Sequence, residues 1–293
     1  MTTEEVCPIC GSHASSDYLP LHDESVSGEK FIIQRCQGCN LLSTSPQPAP
    51  DKLPHYYQSD AYISHTGKAR SPIDAVYLIA RKFTLRWKEK LIARQTDGRR
   101  LLDYGCGTGD FLEYCQKKGW HTEGVEPSAN AREIALQKNL SINKDIREID
   151  RQYDVITLWH VLEHVADLNS TINELAKRLS SQGRLIIAVP NPNSWDSVYY
   201  KEKWAAYDVP RHLWHFSQEN IRTLLSNHSF QLRSKHPMPL DAYYVSLMSE
   251  RYRLQNHGLT IGAAMRGFVN GLKSNRKATQ TGEYSSMIYV FSR

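Results

Sequence analysis

The sequence predicts an α/β fold, a parallel sheet covered by helices on both faces, with a small cysteine-rich module in front of it. Three observations predict this. From Arg99 onward, short apolar runs suited to buried strands alternate with amphipathic runs of helical period. The first strand enters its helix through Asp103-Tyr104-Gly105-Cys106-Gly107-Thr108-Gly109-Asp110, a turn with three alternate glycines. The first 48 residues hold two C-x-x-C pairs.

At 293 residues, 40% hydrophobic and 23% charged, the chain is long enough for one large domain and a small module. No uncharged apolar run approaches the ~18 residues of a membrane helix, and the acidic start is unlike a signal peptide. A cytoplasmic location without a membrane span is expected. Six cysteines in such a compartment point to metal or thiol chemistry rather than disulfides.

Residues 1–48 form the expected zinc-binding module. Cys7-Pro8-Ile9-Cys10-Gly11 and Cys36-Gln37-Gly38-Cys39-Asn40 each set two thiolates on one tight turn, and Gly11 or Asn40 suits the left-handed position that follows. Four cysteines close a structural zinc site, with Cys7, Cys10, Cys36 and Cys39 as ligands. So short a segment needs such a staple to fold. Lys30 to Arg35 reads as a strand leading into the second pair.

Residues 49–98 read as a linker, marked by Pro50 and Pro54, and an N-terminal helix. Val76, Ile79, Phe83, Trp87 and Leu91 share one face of a helix from Asp74 to Gln95. His65 to Arg100 holds ten Lys or Arg against three acids, which suits an anionic partner or a solvated helix face.

Residues 99–293 then read as the main domain. Strands are expected at Arg100 to Tyr104, His121 to Glu126, Tyr153 to Trp159, Arg184 to Val189, Phe230 to Lys235 and Ser285 to Phe291. Helices are expected at Asp110 to Lys118, Ala129 to Lys138, Leu168 to Leu179 and Gln218 to Asn227, with Ser128 and Ser217 as caps. Insertions interrupt the pattern at 191–216 and 237–283. The second holds helices from Asp241 to Leu254 and Ile261 to Leu272, followed by Lys273, Arg276 and Lys277.

The glycine turn is built for a cofactor, because glycines admit positive φ and let the backbone approach a ligand. The dinucleotide fingerprint sets its third glycine one residue later and a pyrophosphate at the helix start. Asp110 is a poor neighbour for pyrophosphate. Glu126 ends the second strand, at the carboxyl edge where open α/β sheets bind ligands, and its carboxylate can accept two ribose hydroxyls. After the fourth strand come His160-Val161-Leu162-Glu163-His164-Val165, a histidine-rich segment suited to proton transfer or to loop hydrogen bonding.

The D-x-G-x-G-x-G turn resembles motif I of class I S-adenosylmethionine (SAM) dependent methyltransferases. Trp159 to Val165 resembles the segment after strand four of small-molecule methyltransferases related to the ubiquinone-biosynthesis O-methyltransferases, and Pro210-Arg211-His212-Leu213 to Ser217 is similar to a segment of the same group. The resemblance covers residues 99–293 at the level of motif order.

It implies a Rossmann-like seven-stranded sheet with an antiparallel last strand. It also implies that Asp103, Gly105, Cys106, Gly107 and Gly109 meet the methionine part of SAM, Glu126 and Pro127 the ribose, Asp145 and Ile146 the adenine, and that His160 flanks the methyl group. Glu163, His164 and His212 are the implied base or its orienter, and Arg211 is expected to face the substrate.

Direct SN2 methyl transfer follows, to the oxygen or carbon of a small metabolite or saccharide. A zinc-bearing start before such a core also resembles sugar C-methyltransferases, whose acceptor is anionic, and certain ribosomal RNA guanine methyltransferases. RNA is the less favoured acceptor, and a non-catalytic zinc and SAM-fold binding protein is a third reading.

Overall fold

The computed structural model describes residues 6–49, 52–57, 72–254 and 259–293. Linker residues 58–71, with Pro50 and the start of the basic stretch, lie outside the described residues.

Seven strands form the main sheet: β4 (Arg100–Tyr104), β5 (His121–Val125), β6 (Ser141–Asn143), β7 (Tyr153–Trp159), β8 (Leu179–Pro190), β10 (Gln231–Pro237) and β11 (Ser286–Ser292). Their order is β10-β11-β8-β7-β4-β5-β6, with β11 antiparallel to both neighbours and the β8-to-β6 pairs parallel. Alternation along the strands divides the core in two. Leu102, Ile156, Leu158, Leu185 and Ile187 face one side, and Leu101, Val155, Ile186, Ala188, Ile288 and Val290 the other.

Helices α1 (Pro72–Ala93), α2 (Asp110–Gln116), α3 (Ala129–Leu136), α4 (Leu168–Arg178), α5 (Trp195–Tyr200) and α6 (Gln218–Asn227) cover the sheet and its first insertion. The second insertion folds as an α-hairpin, α7 (Pro239–Arg253) and α8 (Ile261–Thr281). Caps stand where the sequence expects them. Ser128 accepts from Ala131, and Ser217 forms a capping box with Asn220.

Two expectations are corrected. The face of α1 that packs includes Leu85, Lys88, Leu91 and Ile92, so Leu91 is buried as expected while Phe83 and Trp87 are exposed. On the packed face the Lys88 ammonium lies 4.4 Å from the centre of the Trp159 ring, a cation–π contact beside buried Leu91 and Ile92. Val76 and Ile79 fall outside the residues whose side chains are described. In addition, α8 runs on through Lys273, Arg276 and Lys277, which had been expected to follow it, because nothing breaks the helix before Gly282 takes its left-handed cap.

The N-terminal residues form a second sheet in the order β1-β2-β3-β9, from β1 (Ser15–His22), β2 (Lys30–Cys36), β3 (Leu42–Ser45) and β9 (Trp214–His215). Its last strand comes from the first insertion. Ile9, Cys36 and Leu41 share a core with Phe216, Ile221, Leu224 and Leu225. Three asparagine amides donate to the cysteine turns: Asn169 to Pro8 O at 3.2 Å, Asn227 to Ile9 O at 2.9 Å and Asn220 to Cys39 O at 3.0 Å.

Candidate functional site

The three glycines of the turn divide their tasks. All have positive φ, so L side chains are strained there. A Cβ on Gly105 would lie 2.5 Å from Val161 Cγ2, and one on Gly109 would lie 2.4 Å from Leu140 Cδ1, so these two allow packing. Around Gly107 the corresponding space is open. It is the point at which a ligand can approach the backbone. Thr108 donates to Asp110 at 2.8 Å, and Lys138 Nζ ties Asp110 to Thr108 O at 2.7 Å. Asp110 therefore fastens the turn to Lys138, just past the end of α3.

Glu126 is buried at the carboxyl end of β5, where its Oε2 accepts from Gly107 N at 2.9 Å and its Oε1 from Ser128 N at 2.8 Å. A carboxylate has about four acceptor sites, so two remain for ligand hydroxyls. Asp103 is buried directly opposite its register partner Thr157, whose hydroxyl donates to it at 2.6 Å. Burial pushes its carboxyl up to about 7, although Thr157 and Lys88 act the other way. Thr157 is a site residue that sequence reading passed over. A lone hydroxyl in the buried run of β7 was its available signal.

Beside them, Cys106 is a buried thiol whose pKa burial raises, which leaves it inert. Pro127 is exposed, and its carbonyl accepts from Arg132 at 2.7 Å. Asp145 caps the turn that follows β6, and its hydrogen bonds from Arg147 hold its carboxyl down to about 2. Ile146 is buried in the core.

The loop after β7 carries the remaining candidates. His160 stands at φ 56, a left-handed turn that swings its ring between two carboxylates: Nδ1 is 3.4 Å from Glu163 Oε1 and Nε2 is 3.0 Å from Asp241 Oδ2. Burial disfavours the imidazolium, but Asp241 and Glu163 outweigh it and push its pKa up to about 9. Asp241 belongs to α7, and no sequence signal announced its reach into the site. Glu163 is 1% exposed, with neither oxygen hydrogen-bonded. Burial raises its pKa, and the histidines around it more than reverse that.

His164 and His212 complete the cluster, with ring centroids 4.6 Å apart. Each Nδ1 lies 2.9 Å from a backbone carbonyl, Arg211 O for His164 and Ala206 O for His212. A carbonyl can only accept, so both Nδ1 atoms carry a proton, and in the neutral ring Nε2 is then the atom that presents a lone pair. Tyr57 lies 3.1 Å from the same His164 nitrogen. Burial, then the neighbouring His164, lowers the pKa of His212 to about 4.

One ligand atom each from Glu163, His164 and His212 fall within 4.8 Å of one another. Two imidazoles and a carboxylate are suited to proton transfer and to binding a transition metal.

Arg211 does not face this cluster, which corrects the expectation for it. Its guanidinium is buried and binds Asp23 at 2.9 Å, Asp208 at 2.8 Å and Tyr56 O at 3.0 Å. Two carboxylates and a carbonyl saturate the planar fork. What Arg211 contributes is its carbonyl, held where His164 needs an acceptor.

The four cysteine sulfurs lie within 4.8 Å of one another, with Cys7 to Cys39 and Cys10 to Cys36 each at 3.5 Å. Tetrahedral zinc with Zn–S bonds of about 2.3 Å sets its sulfurs about 3.8 Å apart, so the donor set fits. Gly11 and Asn40 both adopt the left-handed conformation expected of them.

Among known proteins, a family described as Methyltransferase domain matches residues 77–235. The ubiquinone biosynthesis O-methyltransferase of Aeromonas salmonicida is 33% identical over 107 residues, covering 33% of this chain and 45% of that protein. Its namesake in Pectobacterium carotovorum is 30% identical over 155 residues, covering 47% and 64%. The chain thus spans about half the length of the curated relatives it matches. Among solved structures, a cyclopropane synthase from Mycobacterium tuberculosis aligns with a TM-score of 0.52 at 15% identity over 85% of this chain and 100% of that one. The magnesium protoporphyrin IX methyltransferase of Synechocystis, solved with bound SAH, aligns with a TM-score of 0.51 at 15% identity over 83% and 93%. These two alignments show the shared fold.

Proposed function

Because the chain belongs to the methyltransferase domain family, whose match takes in the glycine turn and the loop after β7, we propose that it is a SAM-dependent enzyme that methylates a small metabolite or saccharide. SAM supplies an electrophilic methyl group on a sulfonium. The chain's own residues bind, orient and move a proton. The open face of Gly107 approaches the methionine part together with Asp103, Gly105, Cys106 and Gly109, the two remaining acceptor sites of Glu126 take ribose hydroxyls beside Pro127, and Asp145 and Ile146 flank the adenine. His160 lines the methyl side.

The observation that carries the reading is the pair of Nε2 lone pairs of His164 and His212 beside buried Glu163, at the same sheet edge as the glycine turn. For a hydroxyl acceptor, His164 Nε2 would take the proton that the acceptor oxygen loses as it is methylated. Glu163 steadies the resulting imidazolium. Relatives named as O-methyltransferases support oxygen over carbon as the acceptor atom. Most of the acceleration comes from holding donor and acceptor in line.

We further infer that Cys7, Cys10, Cys36 and Cys39 hold one structural zinc. Residues 1–48, 49–98 and 99–293 are inferred to be units of sequence organisation, with the first docked against 214–227.

The test is incubation of the purified chain with methyl-labelled SAM and separate extracts of small metabolites, glycans, lipids and RNA. Label in the small-metabolite or glycan fraction is expected. Label in RNA alone would replace the proposed acceptor, and absence of SAM binding by equilibrium dialysis would remove the enzyme reading.

A further inference from the structure

The α7–α8 hairpin is turned inside out. The face of α8 against α7 is small or polar: Ala263, Gly267, Asn270, Gly271, Ser274 and Ala278 are the buried residues of that helix. Two glycines enforce this. A Cβ at Gly267 would stand 2.8 Å from Leu247 Cα, and one at Gly271 would stand 2.8 Å from Tyr243 Cα, so the helices touch backbone to backbone and no larger side chain fits between them. The large apolar residues are forced outward. Ile261, Met265, Phe268, Val269 and Leu272 recur at the spacing of one helical stripe, and all are exposed, Ile261 by 83% and Phe268 by 61%. Leu240 on α7 is exposed as well.

Charge decides what this stripe meets. Residues 261–281 contain Arg266, Lys273, Arg276 and Lys277 and no Asp or Glu. Arg266 pairs with Glu250, a buried carboxylate of α7. Lys273, Arg276 and Lys277 are exposed and lie next to the apolar stripe on the helix surface. An apolar stripe with aromatic and branched side chains, on a helix that carries cations and no acid and is backed by a partner helix, has the pattern of a helix that lies in the surface of an anionic bilayer.

We propose that α8 docks this chain on an anionic lipid surface, with Met265, Phe268 and Leu272 among the acyl chains and Lys273, Arg276 and Lys277 at the headgroups. The docked face adjoins the site, since Leu240 precedes Asp241, the residue that contacts His160. Placement there would suit an acceptor with an apolar tail. Docking itself does not depend on the methyl-transfer reading.

The experiment is co-sedimentation of the full chain with phosphatidylcholine vesicles, neutral or containing about a third phosphatidylglycerol. The chain is expected to pellet with anionic vesicles and to remain largely in solution with neutral ones. Phe268→Glu should abolish binding, and each of Lys273→Glu, Arg276→Glu and Lys277→Glu should weaken it about fivefold or more. Unchanged SAM binding and melting temperature in these exposed-site variants would show that they remain folded. Equal pelleting with both vesicle types, or none with either, would overturn the proposal. So would a stable dimer in sedimentation velocity that Phe268→Glu dissociates, since the stripe would then be covered by a second copy. Vesicle binding is read without turnover, so its failure is separate from failure of the enzymatic reading.

Discussion

Asp241 Oδ2 lies 3.0 Å from Nε2 of His160, which ties the first turn of α7 to the loop after β7. This ion pair contributes stability with a definite sign in pH. The pKa of His160 rises from 6.5 to about 9 on folding, so the contribution is complete below 6.5 and is lost as pH rises through about 9. Asp241→Asn is expected to return the His160 titration toward its ordinary range and to flatten the fall in melting temperature between those two values. NMR titration of the histidine and melts across the range measure both effects. An unchanged titration would contradict the pairing.

Glu126 both shapes the turn and offers acceptors to a ligand. Its replacement removes two backbone hydrogen bonds and the proposed ribose contacts together, and hydrogen bonds to a charged group contribute about 1.5–3 kcal/mol each. Glu126→Ala should weaken SAM binding by at least ~100-fold, and Glu126→Gln by less, because one amide oxygen still accepts from Gly107. Titration calorimetry distinguishes the two variants.

His164→Ala should leave SAM binding intact and lower turnover by roughly 10²–10⁴-fold on a hydroxyl acceptor. Equal loss of binding and turnover would make His164 a support for the loop instead of a base.

Arg211→Lys is expected to destabilise the fold by about 3–5 kcal/mol, the range for breaking a buried ion pair. Lysine cannot serve Asp23 and Asp208 together, and the Asp23 side chain is fully buried. Denaturant unfolding measures this. A change under ~1 kcal/mol would mean that water enters to solvate the two carboxylates.

Chelation should release one zinc per chain and lower the melting temperature, and Cys39→Ser should do the same without chelator. Metal analysis beside calorimetry checks both outcomes. Because the cysteine turns pack on α6, loss of metal should also raise hydrogen exchange in Gln218–Asn227.

The parts legible in the sequence were those governed by local periodicity and turn chemistry. Strand β7 has the bounds its apolar run predicts, and the helix caps at Ser128 and Ser217 are present. Contacts between distant positions were not legible. Asp23 meets Arg211 across 188 positions, and the two-residue strand Trp214–His215 is too short to carry a pattern of its own. In α1, counting apolar residues does not separate Leu91, which is buried, from Phe83 and Trp87, which face solvent. In α8 the outward stripe is legible only once Gly267 and Gly271 are seen to require contact between helix backbones.

The Thr44 hydroxyl donates to His212 O at 2.6 Å, joining residues 168 positions apart, and β3 pairs with β9 across a similar distance in sequence. On the ribosome the chain's first sheet must therefore wait. When β1 to β3 have emerged, the strand that completes their sheet and the asparagines of α6 that hold the cysteine turns have not been made. The glycine turn and β4 to β8 need nothing C-terminal to Pro190 for their parallel pairing. The order of synthesis thus builds the glycine turn and its strands before it can close the histidine wall, and the N-terminal cysteines, made before either, are locked in place only once α6 has followed.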